Sequence, residues 1–274
     1  ATEHDIDGDT EWRPPEIPGV PTAAVMLLEH TIDFAGLFPP AKQSMSEAVA
    51  TYAKARAHPD AWMLERFVLQ ATELKAFEES AHPHLPRAEK DEPWPLSVLV
   101  RHDADGLVAD LEALEQFNDR HVDPSEGFAI ADVVEIKGDS PASIEAALNH
   151  MPDEVFPFFE LDWRGDIRGS LATIVGGDAG EKLRTGGLDA EDFPTLEATA
   201  KFLLDAASAE VPLKGTAGMH WPLRAPSDVV EGATAHGFLN FLAAAAVAHL
   251  RDCDDSDLVP ILKASADEFE FSGT

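Results

Sequence analysis

Two short runs of this chain carry the same residue types in the same order. Glu181-Lys182-Leu183-Arg184-Thr185-Gly186-Gly187 is followed, about thirty residues later, by Pro212-Leu213-Lys214-Gly215-Thr216-Ala217-Gly218-Met219-His220. Each reads as an extended piece in which a lysine precedes threonine and glycine. Side chains alternate across a strand, so Lys182 shares a face with Arg184 and Lys214 shares one with Thr216, while Leu183 and Leu213 point the other way. A lysine with an ordinary pKa of about 10.4 is protonated at neutral pH, but a neighbouring cation and partial desolvation lower it, and the free amine attacks carbonyl carbon.

Two further runs add carboxylates. In Val133-Val134-Glu135-Ile136-Lys137-Gly138 one face carries Glu135 and Lys137, and in Phe158-Phe159-Glu160-Leu161-Asp162-Trp163 one face carries Glu160 and Asp162. The apolar faces are expected to meet helices, which leaves the charges lining the inside of a curled sheet. Charges there are costly unless paired or used. Their signs nearly balance, with Glu135, Glu160 and Asp162 against Lys137, Lys182, Arg184 and Lys214. The reading without chemistry is a buried ion-pair network, or a register shifted by one that turns some of them to solvent.

These runs belong to a longer alternation. Extended apolar stretches at 62–69, 95–101, 130–138, 155–163, 180–187 and 211–218 are separated by helical patterns at 106–121, 140–151 and 195–209. That rhythm calls for parallel strands joined by helical crossovers. "HGFLNF" at 236–241 and "EFEF" at 268–271 are read as two more strands, and helices over 23–38 and 44–57 precede the alternation, the second opened by a Ser44…Glu47 capping pattern. The expected fold is therefore α/β, a (β/α)8 TIM-type barrel with extra N-terminal helices. The alternative, a doubly wound open sheet, lacks the G-x-G-x-x-G turn that a dinucleotide-binding version would show. Residues 1–21, acidic and proline-rich without apolar periodicity, read as an extension, and 22–274 as a single barrel domain.

Composition narrows the partners. With 20 Lys+Arg against 51 Asp+Glu the formal charge is -31, which repels nucleic acid and anionic lipid. Acid spread along the whole chain is the pattern expected of a halophilic protein, whose counterions screen self-repulsion. One cysteine, Cys253, leaves no internal disulfide and no cysteine-cluster metal site. The longest apolar run, 238–250, is too short to span a bilayer, and the N-terminus has no basic-then-apolar leader pattern, so the expected location is cytoplasmic and the expected partner a small molecule.

Two resemblances add to this reading. "IDFAGLFPPAKQSMSEAVATYAKARAHPDAWMLERFV", "EKLRTGG", "VPLKGTAGMHWPLR" and "HGFLNF" resemble an uncharacterised family of bacterial and archaeal (β/α)-barrel proteins, which supplies kinship without an activity. More locally, Lys182-Leu-Arg-Thr-Gly followed by Lys214-Gly-Thr-Ala-Gly is similar to the two lysine strands of deoxyribose-phosphate aldolase and its class I relatives, where one strand reads Lys-x-x-Thr-Gly and the next brings a second lysine followed by glycines. The resemblance implies that Lys182 is the Schiff-base lysine of a lyase and Lys214 the cation that lowers its pKa. The chain departs from the pattern in Arg184, in His220 and Pro222 after the second strand, and in lacking a phosphate-binding serine turn near the last strand.

Around these lysines the expected site is as follows. Asp162 or Glu160 relays protons. Arg184, with the amides of Gly186 and Gly187, holds a carboxylate or phosphate of the substrate, with Thr185, Thr216 and Glu135 beside it. Arg66, in Leu64-Glu65-Arg66-Phe67-Val68, projects inward to an acidic substrate or pairs with Glu160. His220 and His236 are candidate acid/base or binding groups. No cofactor is expected for the aldolase reading. An alternative is a metal-dependent isomerase or hydrolase with a divalent metal on Glu135, Glu160, Asp162 and His220, and a third is a barrel that binds a small molecule without catalysis.

Overall fold

The computed structural model describes residues 14–88 and 90–271, so most of the expected N-terminal extension lies outside the described residues. From the N-terminus come α1 (Thr22–Leu28), β1 (Ile32–Phe34), α2 (Met45–Arg56), β2 (Leu64–Gln70), α3 (Leu74–Ala81), β3 (Trp94–Leu99), α4 (Ala104–His121) and β4 (Ala129–Lys137). Then follow α5 (Pro141–Leu148), β5 (Phe156–Leu161), α6 (Arg168–Val175), β6 (Gly180–Arg184), α7 (Leu196–Ala209) and β7 (Leu213–Thr216). A two-residue antiparallel pair, β8 (Ala225–Pro226) and β9 (Thr234–Ala235), leads into α8 (Phe238–Leu250) and α9 (Asp255–Lys263).

The chemistry at the helix ends explains where they start. Ser44 caps α2 in the expected box, its amide donating to Glu47 Oε2 at 2.9 Å while its Oγ accepts from the Glu47 amide. Ser140 before Pro141 opens α5, and Asp103 and Thr195 cap α4 and α7.

Seven strands form one parallel sheet in the order β1-β2-β3-β4-β5-β6-β7. An unreversed order joined by right-handed crossovers puts the helices on one face, and the sheet curls away from them. The core lies between the layers, with Phe67, Leu69, Leu96, Val98, Phe159, Leu161 and Leu183 from the strands meeting Phe77, Leu114, Phe117, Ile144, Ile174 and Phe202. Gly215 leaves room on this face for the Phe241 ring of α8 and for Met219.

The α/β barrel-like architecture agrees with the sequence, but the eightfold count does not. Residues 23–38 are not one helix: the chain leaves α1 through His30, at φ 51°, whose amide donates to Trp62 O at 2.9 Å, and Ile32–Phe34 becomes the edge strand β1. "HGFLNF" is the start of α8, with Gly237 as its N-cap and the Phe238 and Leu239 amides held by Trp221 O and Pro222 O. Its alanine-rich continuation favours helix over strand. "EFEF" begins in a 3-10 turn, Ala266–Glu268, and among the described residues pairs with no strand. Among the described residues no ladder joins β7 to β1, so the curled sheet is open between its first and last strands.

Candidate functional site

The inward face of the sheet is polar, and its edges communicate through side chains. Lys214 of β7 places Nζ 2.5 Å from Asp33 Oδ2 of β1, 2.6 Å from Glu135 Oε1 of β4 and 3.0 Å from Ser97 Oγ of β3. One ammonium thus spans the open seam and the middle of the sheet. Lys182, its register partner on β6, places Nζ 2.8 Å from Glu135 Oε2 and 2.8 Å from Glu160 Oε2. The two lysines therefore sit on opposite oxygens of a single carboxylate. Ser97 also donates its hydroxyl to Glu135 Oε1 at 2.7 Å, so that carboxylate has three contacts, one from each of three strands.

Burial and charge compete at this cluster, and charge wins. The Glu135 side chain is 3% exposed and that of Lys182 5%. Burial pushes the Glu135 carboxyl up, but the ammoniums of Lys182 and Lys214 outweigh it and hold the pKa at about 2. Burial likewise pushes Lys214 down, and Asp33 and Glu135 reverse this, keeping it above its ordinary value as a fixed cation. The Lys214 ammonium also lies 5.7 Å from the centroid of the Phe158 ring, which covers the cluster from the N-terminal side of the strands.

Toward the C-terminal ends of the strands the cluster opens. Glu160 is 17% exposed and Arg184 49%, with Arg184 Nη1 3.8 Å from Glu160 Oε1. Compared with known proteins, the chain matches no family model, and no curated protein matches it. What the arrangement can do therefore follows from its own groups. It holds two amines beside two carboxylates that can accept their protons, at the end of the sheet where parallel α/β folds place loops and ligands.

The structure brings together Lys182, Lys214, Glu135, Glu160 and Arg184, with Thr216 in register beside Arg184. Other expected site residues lie elsewhere. β5 ends at Leu161, so alternation stops before Asp162, whose carboxylate turns outward to the Arg164 amide and guanidinium at 3.1 and 3.3 Å. Arg66 does not pair with Glu160: it forms a two-point contact with Asp132 at 3.0 and 3.2 Å and meets Glu65 at 2.5 Å, and with Phe156 and Phe158 it lines a depression at the N-terminal end of the sheet.

Thr185 is fully buried, with its hydroxyl on the carbonyls of Thr216 and Ala217, where it ties the exit of β6 to that of β7. Gly186 lets that exit press against Gly218, and the loop after Gly187 wraps the Asp192 carboxylate with the Leu188 and Asp189 amides at 3.1 and 3.2 Å. His236 is buried, its Nε2 on Pro194 O at 2.9 Å and near Thr199 Oγ1 at 3.2 Å, so it anchors the loop before α7. His220 pairs with Asp228 at 2.7 Å on the loop after β7. Of the four groups proposed for a divalent metal, Glu135 and Glu160 meet at Lys182 while Asp162 and His220 lie elsewhere, and among the described residues no three His, Cys, Asp or Glu side chains are placed to hold one.

Two members of the cluster escape the sequence reading. Asp33 is hidden inside a pattern that reads as helix, although the apolar-acid-apolar run Ile32-Asp33-Phe34 is the strand signature that marks it. Ser97 is the one polar residue in Pro95-Leu96-Ser97-Val98-Leu99-Val100, and its inward position gives Lys214 and Glu135 a shared hydroxyl.

Proposed function

We propose that this protein is a class I, Schiff-base lyase acting on a small anionic carbonyl compound, with Lys182 as the nucleophile. The observation that carries the reading is the pair of register-matched lysines on the two oxygens of Glu135, with Glu160 against the second side of Lys182. Lys214, held cationic, supplies the fixed positive charge beside Lys182. Glu160, partly open to solvent, takes the proton from the Lys182 ammonium and returns protons as water leaves the carbinolamine. The resulting iminium draws the electron pair of the Cα–Cβ bond while Glu160, again a carboxylate, takes the proton of the β-hydroxyl, giving an enamine and a released carbonyl fragment. Protonation of the enamine carbon and hydrolysis then free the second product and the amine.

Glu160 replaces Asp162 in the proton-relay role because it alone of the two reaches Lys182. The test is borohydride trapping with a panel of aldehydes and 2-oxo acids, followed by peptide mass spectrometry. An adduct on Lys182 that disappears in Lys182→Arg supports the reading. No adduct, or adducts spread over exposed lysines such as Lys201, would leave the cluster as a structural clasp between β1 and β7.

A further inference from the structure

Four inward-facing residues stand side by side across neighbouring strands. Lys137 of β4, Glu160 of β5, Lys182 of β6 and Lys214 of β7 are successive register partners. The two interior lysines are committed to Asp33, Glu135 and Glu160. Lys137 is exposed and makes no ion pair among the described residues. Arg184, one pleat nearer the mouth than Lys182, has a single long contact, 3.8 Å to Glu160. Two under-used cations therefore flank one carboxylate at the open end of the site, in a chain whose net charge is -31. Cations grouped at a cleft of an acidic protein create a local attraction for anions that the rest of the surface repels.

Resting on the Schiff-base reading, we propose that Lys137 and Arg184 form the anion subsite of the same site, and that its ligand is a 2-oxo carboxylate. The spacing sets the length of the ligand. Lys182 Nζ and Arg184 Nη1 approach the two oxygens of the same Glu160 carboxylate, at 2.8 and 3.8 Å, so a single carboxylate bridges the amine and the guanidinium and a ligand beside it needs only a short span to meet both. A carboxylate bonded directly to the carbonyl carbon matches that span, and a planar guanidinium grips it through paired N–H groups. A phosphate several carbons away overshoots it. Lys137, on the far side of Glu160, supplies the second charge.

Pyruvate and methyl pyruvate carry the same ketone with and without the charge, so borohydride trapping of each on the full chain reads the subsite separately from the amine. Adduct at Lys182 is expected to favour pyruvate by roughly tenfold or more, the size of one charge-assisted contact. In Lys137→Met and in Arg184→Leu, both at exposed positions, the ratio should fall toward one while circular dichroism shows the fold retained. Equal trapping of the two compounds in the wild type overturns the subsite and leaves the Schiff-base reading standing. Preference for glyceraldehyde 3-phosphate over pyruvate overturns the length argument. If neither ketone is trapped the Schiff-base reading fails, and oxalate, an unreactive dianion of similar span, decides the subsite alone. A rise in unfolding temperature with oxalate in the wild type but not in Lys137→Met keeps it, and no rise in the wild type removes it.

Discussion

Glu181, the residue before the candidate nucleophile, points to the opposite face of β6 from Lys182 and is completely buried, with no hydrogen-bond partner on either carboxyl oxygen among the described residues. Burial, reinforced by the charge of Asp205, pushes its pKa from 4.5 to about 8. Because the folded value lies above the unfolded one, the folded chain holds a proton that the unfolded chain has released, and stability falls as pH rises from about 4.5 to about 8. At about 1.4 kcal/mol per pH unit the loss is about 3 kcal/mol by pH 7 and about 5 kcal/mol once the folded carboxyl ionises. Glu181→Met should remove this slope and also the unsatisfied carboxyl, worth about 1–3 kcal/mol at every pH. Glu181→Gln should remove the slope but keep an unsatisfied group. The assay is urea or thermal unfolding from pH 5 to 8.5 at constant high salt, with the Met variant gaining roughly 10 °C over the wild type at pH 7 and about half of that at pH 5. A variant curve parallel to that of the wild type would refute the reasoning, because the carboxyl would then be titrating in the folded state as it does in the unfolded one.

The interior cluster predicts an opposite, acid-side slope: Glu135 is held at about 2 against 4.5, so the stability it contributes is present above 4.5 and about 3 kcal/mol of it is lost as pH falls toward 2, a limb that should be much shallower in Glu135→Gln, itself less stable at neutral pH. Asn240→Ala should cost about 3 kcal/mol in urea unfolding, since the Asn240 side chain accepts from the Arg224 amide and donates to Ile261 O and Ala264 O, joining α8 to its neighbours. With a net charge of -31 the wild type is expected to lose its folded circular-dichroism signal on dialysis from molar salt to dilute buffer, and an unchanged unfolding midpoint in the two would count against salt adaptation.

How far the sequence led can be traced to particular residues. Strands β2 to β7 were legible because each is an apolar run bounded by turn chemistry, and the inward face of β4, β5 and β6 was legible because alternation over Glu135, Glu160 and Lys182 is unambiguous there. Alternation fails where a strand ends, which is why Asp162 was expected inside and lies outside. β1 was hidden because three residues are too few to outweigh the helical pattern on either side, and its role is visible only once Lys214 reaches Asp33. "HGFLNF" reads as a strand from its aromatic residues, yet the backbone of Leu223 lies against Gly237 and the Asn240 side chain bonds α9, contacts between parts of the chain that no local pattern encodes.

The unequal settings of the two lysines bear on which of them the proposed mechanism uses as the nucleophile. Lys214 has acceptors on β1, β3 and β4, and its contact with Asp33 is the one described ion pair across the seam where backbone pairing is missing. Withdrawing that ammonium strands two carboxylates, Asp33 and Glu135, and releases the edge strand, a cost of the kind that breaking a buried pair carries, about 3–5 kcal/mol. Lys182 has two acceptors, both on adjacent or near strands of the same half of the sheet, and one of them, Glu160, is partly solvated and has Arg184 as a second partner. When Lys182 gives its proton to Glu160, Glu135 remains neutralised by Lys214 and the seam stays clasped. Under the proposed mechanism Lys214 is therefore the fixed charge and Lys182 the nucleophile, so Lys214→Met should lower both stability and trapping, whereas Lys182→Arg should abolish trapping at the smaller cost in stability.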